Sequence, residues 1–182
     1  SVIGVQGFTA RGFGFNHRVD DLRDPRIRQA VAYALDRRQL RDVFWAKNGR
    51  IINTSLSHAW YARPEWNNLY PYDPDKAREL LKEAGWDSNR EVPMITYYTG
   101  YEDFWGAVQQ QLAAVGFKMK PVVLEVGAWV DSFYKNYDWE MMFAGMGGAT
   151  PSGILAAQYS MESRNAYGYS NPELEAKINE AK

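Results

Sequence analysis

The sequence predicts an α/β fold, and three observations predict it. Two stretches open with Asp-Pro and continue in a helical apolar stripe, DPRIRQAVAYALDRRQL (Asp24 to Leu40) and DPDKARELLKEAGW (Asp73 to Trp86). The segment from Met94 to Ala144 alternates strand, helix, strand, helix and strand patterns, the signature of a unit whose strands run mainly parallel through right-handed crossovers. No internal repeat of fixed period competes with that reading.

Taken in order, Ser1 to His17 is rich in Gly and Phe without helical periodicity, which predicts one or two short strands ending near Phe15 and Asn16. The first Asp-Pro then starts a helix. The aspartate can accept from the first free backbone N–H groups, and proline at the first helical position loses no donor the helix would have used. Ile27, Ala30, Val31, Ala34 and Leu35 follow at i, i+3, i+4, i+7 and i+8, one buried stripe. A shorter helical turn is expected to run to Lys47, and Asn48-Gly49 signals a turn. Arg50 to Tyr72, polar and aromatic with Pro64 and Pro71, reads as a long ordered loop, and such loops in compact domains often carry function.

The second Asp-Pro helix places Ala77, Leu80, Leu81 and Ala84 on one side and is closed by Gly85. Met94 to Thr99 reads as a buried strand. Phe104, Val108, Leu112 and Val115 then give the next helix its apolar stripe, which Gly116 ends. Phe117 to Leu124 alternates as a strand, and Pro121 argues for an edge position or a bend. A helix around Trp129 to Lys135, a strand Glu140 to Ala144 and a helix from Asn171-Pro172 complete the chain. That last helix, with Leu174, Ile178 and Ala181 on one face, has no stop signal before Lys182.

Composition narrows the function classes. A net charge of -1 over 182 residues, with the signs interspersed, supplies no basic field for nucleic acid, so no nucleic-acid partner is expected. No apolar run reaches membrane-spanning length. With no cysteine, thiolate chemistry, disulfides and cysteine metal sites are excluded, and no cofactor or metal site is expected. His17 and His58 sit in neither a nucleophile elbow nor a metal-binding spacing. Gly145, Gly147 and Gly148 do not form a phosphate loop, and carboxylates such as Asp75 and Glu79 are assigned to i, i+3 pairs with Arg78 and Lys82. The sequence therefore offers little for catalysis. Aromatic residues, by contrast, make up 15% of the chain, with seven Trp and twelve Tyr. Their flat apolar faces and polar edges suit a ligand-facing surface, a large core, or both.

The two Asp-Pro helices preceded by Phe15-Asn16, the stretch ITYYTGYEDFWGAVQQQLAAVGFKMKPVVLEVGAWVDSFYKNYDWEMMFAGMGG (Ile95 to Gly148) and the Asn-Pro helix YSNPELEAKINEAK (Tyr169 to Lys182) together carry a resemblance along nearly the whole chain. The sequence closely resembles the extracellular solute-binding proteins of family 5, the peptide, nickel and oligosaccharide receptors of bacterial ABC importers. That resemblance implies a periplasmic-binding-protein-like lobe of type II, a mostly parallel sheet flanked by helices. Residues 1–182 would form a single domain, the second, C-terminal lobe of a two-lobe protein, truncated at both ends. It further implies a non-enzymatic, monomeric, periplasmic or cell-surface-anchored protein whose signal peptide is absent from this sequence. Such a protein captures an oligopeptide-class solute between its lobes and delivers it to an inner-membrane ABC permease. An oligosaccharide or opine-like small molecule is the second reading, and the ligand-sensing lobe of a cytoplasmic regulator is the alternative from another class.

The resemblance also nominates residues. Trp129, in GAWVDSF, matches a tryptophan that lines the family's pocket, the other reading being a core tryptophan under its helix. The stretch Met146, Gly147, Gly148, Ala149 and Thr150 corresponds to a pocket-lining loop where glycines admit close backbone approach. Many peptide receptors carry a Trp there and, three residues later, an Asp for the ligand's α-ammonium group. This sequence has Met146 and Ala149 at those positions. Asn16 is nominated beside the first helix, and Trp60 and Tyr61, with Trp66 and Tyr70, as faces for a sugar ring. Arg11 and Arg63 are candidates for pairing with an anionic ligand group.

Overall fold

A computed structural model describes residues 10–52, 64–146, 160 and 165–180. Its centre is a four-stranded sheet in the order β1-β4-β2-β3, where β1 is Ala10–Phe15, β2 Glu91–Thr96, β3 Lys118–Val123 and β4 Met141–Met146. Strands β3, β2 and β4 are parallel, and β1 joins β4 antiparallel with Ala10 opposite Met146 and Phe15 opposite Met141. The mainly parallel sheet expected from the sequence is present, with one antiparallel edge. Pro121 lies on the other edge, β3, where a missing N–H on the outer side leaves no pairing unmet.

Helices α1 (Pro25–Ala34), α2 (Arg37–Phe44), α3 (Pro74–Glu83) and α4 (Glu102–Ala113) surround one core. In it Ile27, Val31, Leu80, Leu81, Phe104, Val108 and Leu112 meet Val92, Met94, Met119, Met141 and Phe143 of the strands. Helix α5 (Val126–Asp131) and the π-helical turn after it (Ser132–Asn136) form a second apolar cluster. There Trp129, Phe133, Trp139 and Tyr167 pack with Ile95, Met142 and Ala144. Alternate residues of β2 and β4 thus enter opposite clusters, as the period of two requires when both faces of a sheet are covered. Helix α6 (Pro172–Glu180) follows.

The local signals act as expected at most helix starts. Asp24 accepts from the N–H of Arg26 at 2.8 Å, Asp73 from Lys76 at 2.9 Å, and Asn171 from Glu173 and Leu174 at 3.1 Å each. Asp36 caps α2 through the N–H of Gln39 at 2.9 Å. Gly85 (φ +69°) and Gly116 (φ +91°) close α3 and α4 in the left-handed conformation.

Several boundaries differ from the sequence expectation. Strand β2 begins three residues earlier, at Glu91, and α5 begins at Val126 rather than at Trp129. Within Arg50 to Tyr72, Pro64–Asn68 forms a 3-10 turn where only irregular loop was expected, and residues 53–63 lie outside the described residues. Asp75 pairs with Arg78 as expected, but Glu79 pairs with Lys76 at 2.6 Å instead of Lys82, reaching back along the helix rather than forward.

Candidate ligand-binding edge

The carboxyl ends of the parallel strands gather on one side of the sheet, at Thr96, Val123 and Met146. Because β1 runs the other way, its first residues join them, with Arg11 in register with Gly145. In open α/β sheets ligands bind in the crevice outside the carboxyl ends of the strands. Here that edge is occupied by the loop Tyr97-Tyr98-Thr99-Gly100-Tyr101 between β2 and α4, turned by Gly100 at φ +76°.

The side chains of this loop are anchored on the apolar clusters beneath. Tyr98 meets Phe143 edge to face (centroids 5.9 Å), Tyr101 stacks on Trp105 (5.8 Å) and tilts against Trp45 (6.4 Å), and Tyr97 meets Trp129 edge to face (5.0 Å). The exposed guanidinium of Arg11 lies 5.0 Å from the Tyr98 ring centre and 5.9 Å from that of Tyr101, and its Nη1 donates to the Tyr101 hydroxyl at 2.8 Å. Among the described residues it forms no ion pair. The Tyr97 and Tyr98 hydroxyls face each other at 3.4 Å. That hydrogen bond and burial push the Tyr97 phenol up to about 12, so it stays neutral and able to donate. The backbone N–H of Tyr98 is fixed by Thr96 Oγ1 at 3.2 Å.

Of the residues nominated from sequence, Met146 ends β4 at this edge, and Gly147, Gly148, Ala149 and Thr150, which continue from it, lie outside the described residues, as do Trp60, Tyr61 and Arg63. Trp129 is 7% exposed, stacked on Phe133 (4.8 Å, 17°), and its indole N–H has no hydrogen-bond partner among the described residues. It reaches the edge only through Tyr97. Asn16 is at the opposite end of the sheet. A five-step strand separates it from Arg11, on the order of 17 Å, so the structure does not bring it together with Met146.

Asn16 is buried, and its side chain is fully engaged by the chain itself. Nδ2 donates to the carbonyls of Trp139 (2.7 Å) and Tyr137 (3.1 Å), and Oδ1 accepts from the N–H of Arg18 (3.1 Å). It holds the end of β1 to the approach of β4, which is a structural task.

The trio Tyr97, Tyr98 and Tyr101 escaped the sequence reading. The available signal is a tyrosine-rich segment directly after a predicted buried strand; a strand end at Thr99 places Tyr97 and Tyr98 within the strand and leaves Tyr101 alone before the next helix. Arg11 was nominated by its chemistry alone, without its partners.

No group of three or more potential metal ligands occurs among the described residues. Two shallow hollows, of about 410 Å³ between α2, α3 and α4 and about 530 Å³ along β2, β3 and α5, are lined by neither Arg11 nor the three tyrosines. Among the described residues, what the edge presents is a row of aromatic rings with phenol hydroxyls and the Arg11 cation, groups suited to holding a solute.

A Brucella ovis protein named for peptide binding in an ABC transporter is 30% identical over 163 residues, covering 84% of this chain and 31% of the relative. The glutathione-binding protein GsiB of Salmonella typhi is 31% identical over 110 residues, 57% of this chain and 20% of its own. Among solved structures, AgaA from Agrobacterium tumefaciens in complex with agropinic acid superposes with a TM-score of 0.81 at 21% identity, covering 94% of this chain and 37% of that one. The Bacillus subtilis oligopeptide-binding protein AppA, bound to a nonapeptide, gives 0.78 at 22% identity over 96% and 38%. These structural likenesses establish the shared fold. The chain spans about a third of the length of the Brucella relative and about a fifth of that of GsiB. The profile of the bacterial extracellular solute-binding proteins, family 5 middle region, matches residues 1–167, and the chain belongs to that family.

Proposed function

We propose that this chain is one lobe of the solute-binding component of a bacterial ABC importer, acting outside the cytoplasm. It captures an oligopeptide-class solute against a second lobe and presents it to a membrane permease. The observation that carries the reading is the convergence of Arg11, Tyr97, Tyr98 and Tyr101 at the carboxyl edge of the sheet, in a chain that belongs to a solute-binding family. In this reading the loop from Met146 through Gly147, Gly148 and Ala149 to Thr150 lines the same cleft, and Trp129 acts through Tyr97, holding its ring in place. Trp60 and Tyr61 are candidates for the cleft rim. Because one lobe supplies part of an enclosed site, the isolated chain should bind more weakly than the complete protein.

The test is calorimetry and mass spectrometry on the full-length protein that contains this chain. Purification should carry along a small solute, and readdition should show one solute bound per protein without turnover. Absence of any bound solute, together with no binding across peptide and glycan panels, would refute the transport reading, and product formation would replace it with an enzymatic one.

A second reading is favoured by Met146 and Ala149, which stand where the family resemblance leads one to expect a Trp and an amine-neutralising Asp. A buried ammonium group without a partner is costly, so the cargo would be an oligosaccharide or an opine-like small molecule. On that reading Ala149→Asp should leave binding of the native solute unimproved. A tenfold or greater preference of the native protein for free-amine over N-acetylated peptides, about 1.4 kcal/mol, would favour peptides instead.

A further inference from the structure

We infer that Arg11 is a carboxylate anchor, so that the solute held at this edge carries a carboxylate, a more specific statement that rests on the solute-binding reading. The guanidinium is exposed at the end of β1 yet held in one place. The Tyr98 and Tyr101 rings lie beneath it at 5.0 and 5.9 Å, and the Tyr101 hydroxyl takes one N–H at 2.8 Å. A guanidinium has five N–H donors. One is used here, and no ion pair with a described carboxylate occupies the rest. A guanidinium seated over aromatic rings with one N–H engaged keeps its remaining donors for a ligand, enough to take a carboxylate through two parallel bonds.

The tyrosines contribute more than a platform. Their faces are tied to Phe143, Trp105 and Trp45, so little side-chain freedom remains to be lost when a ligand arrives. The Tyr97 hydroxyl donates to Tyr98 Oη at 3.4 Å, which couples a third phenol to the ring beneath the cation. Among the described residues, charged groups of the opposite sign flank this edge. Glu102 and Asp103 lie in the first turn of α4, with Glu102 accepting from the Gly100 N–H at 3.3 Å, and Glu125 precedes α5. They would repel a second anionic group, so the edge fits a solute with one carboxylate rather than a polyanion.

Two kinds of solute would present this group, a peptide through its C-terminus and an acidic sugar through its uronate. The experiment monitors the Arg11 Nε–H resonance of ¹⁵N-labelled protein during titration with three matched pairs. These are benzoate and benzamide, trialanine and its C-terminal amide, and glucuronate and glucose. Saturable displacement by the acid and at least tenfold weaker response to its neutral mate is the expected result in one or more pairs, and the better pair identifies the source. Followed through the backbone N–H resonances of Tyr98 and Tyr101, which the native protein also reports, Arg11→Gln should abolish the acid preference, and Arg11→Lys, which keeps the charge but loses the fork, should weaken it severalfold. If Arg11→Gln fails to fold, the native protein decides alone, because an ion pair at Arg11 must weaken steadily as salt is raised.

Equal responses to acid and neutral mate in all three pairs, or acid preference undiminished in Arg11→Gln, would overturn the assignment. Neither result would touch the transport reading, which fails only if the full-length protein binds no solute at all.

Discussion

Replacing Trp129 by alanine tests whether this residue belongs to the core or to the ligand. The side chain is 7% exposed, lies flat on Phe133 at 4.8 Å and meets Tyr97 and Tyr134 with its edges at 5.0 and 6.1 Å. An aromatic of this kind buries about 150–200 Å² beyond an alanine, which at about 25 cal/mol per Å² amounts to roughly 4–5 kcal/mol. Against this stands the buried indole N–H, which has no partner among the described residues. Leaving such a donor unmet costs about 1–2 kcal/mol, a penalty the truncation removes. The net expectation is a loss of about 3 kcal/mol, or roughly 6–12 °C in Tm for a domain of this size.

The same ledger makes a sharper statement about Trp129→Phe. Phenylalanine keeps the stack on Phe133, gives up part of the area and deletes the unmet donor, so the loss should stay within about 1 kcal/mol. Thermal and urea unfolding followed by far-ultraviolet circular dichroism would measure both variants. A Phe variant as destabilised as the Ala variant would show that the N–H has a partner that matters. An Ala variant within about 1 kcal/mol of the parent would refute the packing argument altogether.

Other perturbations follow from the same contacts. Asn16→Ala should cost about 2–4 kcal/mol in urea unfolding, because it leaves the carbonyls of Tyr137 and Trp139 without their donors in a buried place. Gly14→Ala should cost about 1–3 kcal/mol, since a Cβ there would stand 2.5 Å from the Tyr167 ring and 3.0 Å from Met142 Cε, and one ring edge must move. Burial, reinforced by Arg28 and Arg23, lowers the His17 pKa to about 4. The folded value is below the unfolded one, so the contribution is complete above about pH 6.5 and is lost as the pH falls towards 4. Solvent screening of the half-exposed ring reduces it to on the order of 1 kcal/mol. Tm measured from pH 7 to 4 should therefore drop more steeply in the parent than in His17→Phe, and parallel curves would refute the coupling.

The helices were legible in the sequence because their signals are local. Asp24 with Pro25, Asp73 with Pro74 and Asn171 with Pro172 each place a side-chain acceptor and a donor-free residue at a helix start, and Gly85 and Gly116 each need a left-handed backbone at its end. The parallel unit from Met94 onward was legible through periodicity. What escaped is what depends on distant pairing. The antiparallel placement of β1 is settled by its register with β4, and only that register brings Arg11 to Tyr98 and Tyr101. Asn16 was nominated for a ligand because its sequence neighbourhood matched a family pattern, whereas its side chain answers carbonyls more than a hundred residues away. Trp129 admits two readings from sequence because an aromatic beneath a helix and one above a cleft follow the same spacing.

The antiparallel edge strand also has a consequence in time. Arg11 and its tyrosine partner are 90 residues apart, and among the described residues the strand that carries Arg11 has β4 as its only neighbour in the sheet. At synthesis rates of about 5–20 residues per second, β4 emerges roughly 130 residues and on the order of ten seconds after β1. Until then Phe13 and Phe15, which later face the core, have no sheet to join. Non-local pairing of this kind is also the slow part of folding. Arg11 is thus translated well before the tyrosines it will lie upon and is fixed in position only after β4 exists, so a solute that grips it would stabilise the pairing with the greatest sequence separation in the sheet.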